Sequence, residues 1–180
     1  MFVKICGMRT DEQIKYAAKL NYSMIGVVLH KRSKRFVGIE KAKELAECAK
    51  IEGIKSAAVG ITFDEVKNVA EYFDYIQIYE PVNTKFPTIF ATAEEPAKNI
   101  KYEYLLYDMS KGSGAFENFR SWIEKYRETI ILAGGLNPEN VTRIIRRYRP
   151  FGVDVSSGVE DETGGKSFDK MKNFISQTMF

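Results

Sequence analysis

The residues with the clearest chemical potential in this chain stand at the ends of short apolar runs. Cys6 closes the run Phe2–Cys6, and Asp108 closes Tyr104–Asp108. Asp154 lies within Phe151–Val155, just ahead of Ser156-Ser157-Gly158, and Ala133-Gly134-Gly135-Leu136 takes up from the run Thr129–Ala133. Glycines let a backbone approach an anion closely, and unbonded N–H groups at a helix start attract negative charge. A carboxylate within an apolar run is costly to bury unless it is hydrogen-bonded, so polar loop groups or a substrate are expected beside Asp154. Arg35 ends the basic stretch His30-Lys31-Arg32-Ser33-Lys34-Arg35, which reads equally as an anion-binding loop or a solvated turn. The others have plain readings too. A free cysteine is commonly a small buried hydrophobe, Asp108 could cap a helix, and a single glycine loop is more often just a turn.

The elements that must position these groups alternate from end to end. Strands are expected at Phe2–Cys6, Met24–Leu29, Ser56–Ile61, Tyr75–Tyr79, Thr88–Ala91, Tyr104–Asp108, Thr129–Ala133 and Phe151–Val155. Between them run amphipathic segments. Thr10 and Gln13 are spaced as a capping box, as are Thr62 and Glu65. Ile39, Ala42, Leu45, Ala46 and Ala49 form one stripe, and Val66, Val69, Ala70 and Phe73 another. Phe116, Phe119, Trp122, Ile123 and Tyr126 mark a helix after the sixth strand. Asn137 and Pro138 suit an N-cap and first helical position ahead of Val141, Ile144, Ile145 and Tyr148. Phe168, Met171, Phe174 and Ile175 mark the last helix. Between the fourth and sixth strands the pattern thins. Glu80–Lys85 has no room for a helix, and Glu94–Ile100 has room for about two turns. Strict alternation of eight strands with helices predicts an α/β protein, a (β/α)8 TIM barrel over residues 1–180, with its fourth and fifth helices shortened or missing. Such barrels do chemistry at the C-terminal ends of their strands and often hold phosphate after strands seven and eight. Both glycine loops fall there, which points to a phosphate site.

Composition narrows the function classes. The chain is 44% hydrophobic and 28% charged, ordinary for a globular protein. No apolar run approaches the ~18 residues of a membrane span, and the first ten residues do not read as a signal peptide. A cytoplasmic protein with no membrane partner is expected. Two cysteines, Cys6 and Cys48, without a Cys-x-x-Cys or Cys/His cluster, leave zinc and redox motifs unsupported. The formal charge of +3 suits an anionic small molecule. The cluster Arg143, Arg146, Arg147 and Arg149 lacks aromatic residues arranged for base stacking, so it reads as a solvated helix face and no nucleic-acid partner is expected.

Val3-Lys4-Ile5-Cys6-Gly7 closely resembles the opening signature of phosphoribosylanthranilate isomerases. Ser33-Lys34-Arg35-Phe36 resembles that family's loop after the second strand. Leu105-Leu106-Tyr107-Asp108 with Gly112-Ser113-Gly114 resembles its sixth strand and glycine loop. The stretch from Ala133 to Val141 and the stretch from Val153 to Glu160, with Gly164-Gly165-Lys166 beyond, are similar to its last two strands and their turns. The resemblance implies an Amadori rearrangement of N-(5-phosphoribosyl)anthranilate in tryptophan biosynthesis, with Asp108 as general acid and Cys6 as general base. It implies phosphate on the N–H groups of Gly134, Gly135, Ser157 and Gly158, the anthranilate carboxylate on Arg35, and a substrate contact for Asp154. No metal or cofactor is implied, because the substrate nitrogen stabilises the charge. Asp108 would need a raised pKa, as partial burial supplies, and Cys6 would need cationic neighbours to bring a thiol pKa of ~8.5 down. Lys4, two residues back on the same strand face, is the nearest cation in sequence.

Gln77-Ile78-Tyr79-Glu80 carries tyrosine and glutamate where relatives usually carry histidine and glycine, and Phe116-Glu117-Asn118-Phe119 also departs from the pattern. Other readings are a different phosphate-binding barrel enzyme of tryptophan or histidine biosynthesis, and a non-catalytic barrel subunit. The chain is expected as a monomer or homodimer, the latter if missing helices leave apolar barrel surface for a partner to cover.

Overall fold

The structure, a computed structural model, describes residues 1–108 and 120–179. The loop and helix expected around Gly112-Ser113-Gly114, Phe116 and Phe119 lie outside the described residues. Eight parallel strands close into a barrel in chain order. They are β1 (Phe2–Cys6), β2 (Met24–Val28), β3 (Lys55–Val59), β4 (Tyr75–Ile78), β5 (Thr88–Thr92), β6 (Tyr104–Asp108), β7 (Ile130–Ala133) and β8 (Gly152–Val155). Expected strand limits agree to within two residues.

Side chains alternate between two apolar layers, as a strand's period of two requires. Outward residues such as Ile5, Ile25, Ile76, Leu105, Leu132 and Val153 join the buried faces of the helices in one cluster. Inward residues, including Cys6, Met24, Ala57, Ile89, Leu106 and Ala133, form a second. At the N-terminal end of the barrel, Phe2, Tyr104 and Phe151 stack with ring centroids 5.0–5.4 Å apart. Tyr75 leans on the same group at 5.7 Å. Bulky rings thus fill that end, while smaller and polar side chains take the other.

The helices are α1 (Asp11–Lys19), α2 (Ile39–Ile51), α3 (Phe63–Val66), α4 (Val141–Tyr148) and α5 (Phe168–Ser176). Thr10 caps α1 by accepting from the Gln13 N–H at 3.3 Å, while the Gln13 side chain reaches back to Arg9 N. The second capping box forms only in part. Glu65 accepts from Ile61 N at 2.7 Å, but Thr62 makes no side-chain cap. Its place is taken by Glu80, which accepts from Phe63 N at 2.8 Å. The expected helix through Phe73 is instead one α turn and a 3-10 turn at Ala70–Tyr72. Asn137 accepts from the N–H groups of Glu139 and Asn140, as a cap does. Regular helix nevertheless begins later, at Val141, after a turn closed by Asn140 itself. Arg143, Arg146, Arg147 and Arg149 are exposed at α4 and its C-terminus, and Arg147 lies over the Tyr148 ring.

Glu94–Ile100 forms no helix, in line with the fourth and fifth helices being shortened or missing, and Ser121–Tyr126 is a 3-10 helix. The barrel is still covered on this side. Val82, Phe86, Ile100 and Tyr102, all from irregular segments, pack on the outer layer that holds Ile76, Ile78 and Phe90. Phe90 is 6% exposed and stacks with Tyr102 at 6.3 Å. The apolar outer faces of β4 and β5 are thus sealed by the chain itself. If this loop layer substitutes for helices, Phe90→Ala should cost about 3–5 kcal/mol, as for any core phenylalanine. Urea unfolding measures this, and a loss below ~1 kcal/mol would mean the layer does not seal.

Candidate active site

The strand register brings the chemistry-bearing residues into one row. Asp108 on β6 pairs with Ala133 on β7. Leu132 pairs with Val153, which sets Ala133 beside Asp154 on β8, and Asp154 pairs with Lys4 on β1. Cys6 lies two residues beyond Lys4, on the same inward face and nearer the C-terminal mouth. The small methyl of Ala133 is the only side chain between the two aspartates in this row.

Lys4 is fully buried, and its Nζ lies 3.0 Å from Asp154 Oδ1. Burial opposes its charge, but the Asp154 carboxylate and the Cys6 sulfur more than restore it, so its pKa stands above the ordinary value. The ammonium thus points into the barrel, at the thiol and the carboxylate. Gly26, which pairs with Cys6, makes room for this. A Cβ there would stand 2.9 Å from Cys6 Sγ and 3.2 Å from Lys4 Nζ. The thiol itself does not show the lowered pKa that the base role would call for. Burial pushes the Cys6 pKa up, and the pull of Lys4, Lys166 and Arg35 does not reverse this, in part because Asp154 pushes the same way. Desolvation of an anion outweighs cations whose charge is already shared with carboxylates.

Asp108 is 9% exposed at the mouth, and its Oδ2 accepts a 2.9 Å hydrogen bond from the Tyr79 hydroxyl. Sequence reasoning marked Tyr79 only as a departure from the family pattern and gave it no role.

The two glycine loops meet. A Cβ on Gly158 would overlap the carbonyl oxygen of Leu136, so only glycine lets the loop after β8 lie on the loop after β7. Gly134 and Gly135 have φ of +89° and +70°, left-handed values that turn the backbone sharply. Ser157 and Gly158 open a short 3-10 turn. Among the described residues, the N–H groups of Gly135, Ser157 and Gly158 donate to no turn or loop carbonyl.

Arg35 is at the mouth, its stem packed against Gly7. Its Nε and Nη2 grip Glu160 at 2.5 and 2.8 Å. Glu160 also takes Lys166 Nζ at 2.9 Å, and both cations hold its pKa low against burial. Lys166 bonds the Ser156 carbonyl at 3.0 Å, and Ser156 Oγ bonds the Cys6 carbonyl at 3.0 Å. Glu160 and Lys166 therefore tie the loops after β1, β2 and β8 together. Both stood in stretches quoted for the family resemblance, but nothing in their spacing said that Glu160 would pair with Arg35 and Lys166. Among the described residues no group of three or more His, Cys, Asp or Glu side chains is placed to hold a metal ion. Nor is any helix there long and apolar enough to cross a membrane.

A closed parallel barrel with a thiol, a carboxylate and two meeting glycine loops at its C-terminal mouth belongs to the class of barrels that handle small phosphorylated substrates. Comparison with known proteins narrows the class. Residues 3–177 match the profile of the family N-(5'phosphoribosyl)anthranilate (PRA) isomerase. The N-(5'-phosphoribosyl)anthranilate isomerase of Methanococcus aeolicus is 35% identical over 205 residues, covering 97% of this chain and 96% of its own. The crystal structure of phosphoribosyl anthranilate isomerase from Thermus thermophilus superposes with a TM-score of 0.83 at 30% identity, over 99% of this chain and 98% of that one. A phosphoribosyl anthranilate isomerase solved in complex with reduced 1-(o-carboxyphenylamino)-1-deoxyribulose 5-phosphate matches with a TM-score of 0.76 at 28% identity, over 98% and 97%. The chain belongs to the N-(5'-phosphoribosyl)anthranilate isomerase family.

The raised thiol pKa is open to measurement. Alkylation of Cys6 by iodoacetamide, followed by mass spectrometry, should accelerate with pH to a midpoint above the ordinary thiol range, because the thiolate is the reacting form. A midpoint below that range would mean Lys4 outweighs burial.

Proposed function

We propose that this chain catalyses the Amadori rearrangement of N-(5-phosphoribosyl)anthranilate to 1-(2-carboxyphenylamino)-1-deoxyribulose 5-phosphate, a step of tryptophan biosynthesis. The observation that carries this reading is the row from Asp108 through Asp154 and Lys4 to Cys6 across one barrel mouth, beside two glycine loops. Asp108 donates a proton to the ribose ring oxygen. The C1–O bond breaks, and the anthranilate nitrogen lone pair forms a C=N bond, giving an iminium ion. Cys6, as thiolate, removes the proton on C2. The C2–H electron pair becomes a C1=C2 bond and neutralises the nitrogen, giving an enolamine. Loss of the C2 hydroxyl proton and gain of a proton at C1 complete the ketose. Atoms and electrons balance within the substrate, so the chemistry calls for proton transfer alone.

The remaining groups bind. The phosphate lies on the N–H groups of Gly134, Gly135, Ser157 and Gly158. Arg35 meets the anthranilate carboxylate through Nη1, which takes no part in its grip on Glu160. Asp154 holds Lys4 through Oδ1 and contacts the substrate through its second oxygen. Both cysteines are unpaired thiols, which fits the reducing cytoplasm.

A coupled fluorescence assay that follows loss of phosphoribosylanthranilate tests this assignment. Asp108→Asn and Cys6→Ser should each lower kcat by about 10²–10⁴, the range for losing a general acid or base. Cys48→Ala, buried where α2 packs on the start of α1 and away from the barrel mouth, should leave it unchanged. Undiminished turnover in Asp108→Asn would refute the assigned acid, and equal effects at Cys6 and Cys48 the assigned base. In the same assay Gly135→Val should raise KM, since a β-branched residue is strained at that φ and intrudes on the anion's seat. An unchanged KM would move the phosphate elsewhere.

A further inference from the structure

Tyr79 lies just past the end of β4 and reaches across the intervening β5 to the last residue of β6. β5 contributes the small Ala91 to the same inner layer. The backbone at Tyr79 is pinned, because its N–H and that of Glu80 both donate to the Ile61 carbonyl at 3.0 Å. Burial and the Asp108 charge push the phenol pKa far above its ordinary value, so the hydroxyl remains a neutral donor at any working pH. Charge at Cys6 and Asp154 adds to this, which places the phenol within the field of every acidic group assigned to the site.

We propose that Tyr79 is a positioning residue for the general acid, holding Oδ2 of Asp108 so that the transferable proton rests on Oδ1. The inference rests on the catalytic reading of Asp108 given above. A carboxylic acid has one proton and two oxygens, and a donor committed to one oxygen leaves the acid proton on the other. The bond strengthens as Asp108 gives up its proton, because hydrogen bonds to charged acceptors are shorter and stronger. It is therefore worth more in the transition state for ring opening than in the substrate complex, and its loss falls on kcat rather than on KM.

Tyr79→Phe removes the hydroxyl and little else. Its kcat should fall roughly tenfold, the effect of losing one charge-assisted hydrogen bond, with KM within about twofold and an unchanged melting curve. Tyr79→His should recover most of the loss, since an imidazole N–H can also donate to the carboxylate. Combined with Asp108→Asn, Tyr79→Phe should cause no further loss. An unchanged kcat in Tyr79→Phe would overturn the assignment. So would a raised KM at constant kcat, which marks a direct substrate contact, or a fully additive double substitution. If the unsubstituted protein turns over and Asp108→Asn does not, a silent Tyr79→Phe defeats the Tyr79 assignment alone. An unsubstituted protein without isomerase activity defeats the catalytic reading itself, and this inference with it.

Discussion

Lys4 carries an ammonium group in a barrel interior where an unpaired charge would cost several kcal/mol, and the Asp154 carboxylate 3.0 Å away makes that tolerable. Much of the mouth follows from this pair. The Lys4 ammonium has room beside Cys6 because β2 offers Gly26 opposite that cysteine. Asp154 stays in an apolar strand only because Lys4 meets it. With both in place, the next inward residue of β1 is Cys6, beside a fixed positive charge. Removing either partner strands the other and costs about 3–5 kcal/mol, whereas an apolar replacement of both would be tolerated by the fold. The pair is better understood as fixing the site than as stabilising the barrel.

A second constraint comes from the loops. The glycine turns after β7 and β8 touch only where Gly158 has no side chain, so two distant segments present their N–H groups to one place. Glu160 performs the same service with charge. It gathers Arg35 from the loop after β2 and Lys166 from its own loop, and Lys166 reaches through Ser156 to the carbonyl of Cys6. The cations of the mouth are thus built into the frame. The irregular β4–β6 side is compatible with this, because what the site takes from it is Tyr79, held by its backbone bond to Ile61, and the end of β6, held by its register with β7.

The barrel was legible because alternation of short apolar runs with 3.6-period stripes is a local signal repeated eight times, and closure in chain order follows from it. The ends of strands named Cys6, Asp108 and the glycine loops for the same reason. What stayed hidden depends on contacts distant in sequence. No local pattern says that Glu160 seizes Arg35 across 125 residues, or that Glu80 replaces Thr62 as the cap of α3. That the fourth and fifth helices are shortened or missing was legible from the segment lengths, but not that Val82, Phe86, Ile100 and Tyr102 cover β4 and β5 in their place. The direction of the thiol's shift was not legible either, because it is set by burial and by counter-ions that only the fold brings together.

That cost bears on how the proposed chemistry starts. Lys4, Arg35 and Lys166 are each tied to Asp154 or Glu160. Within that frame the proposed step needs one proton to pass between two arrangements of Cys6 and Asp108: a thiol with a carboxylate, and a thiolate with a carboxylic acid. They differ by the place of one proton and have the same net charge, so the frame need not reorganise to pass from one to the other. Only the second can protonate the ring oxygen and then take the proton from C2. Ring opening puts a positive charge on the substrate nitrogen at the moment the thiolate is needed, and an adjacent iminium both acidifies C2 and attracts the anion. A thiol held high by burial is the stronger base once ionised, so burial limits how often the working pattern is present and adds to its power when it is. Lys4, fixed by Asp154, is the group that keeps that pattern within reach.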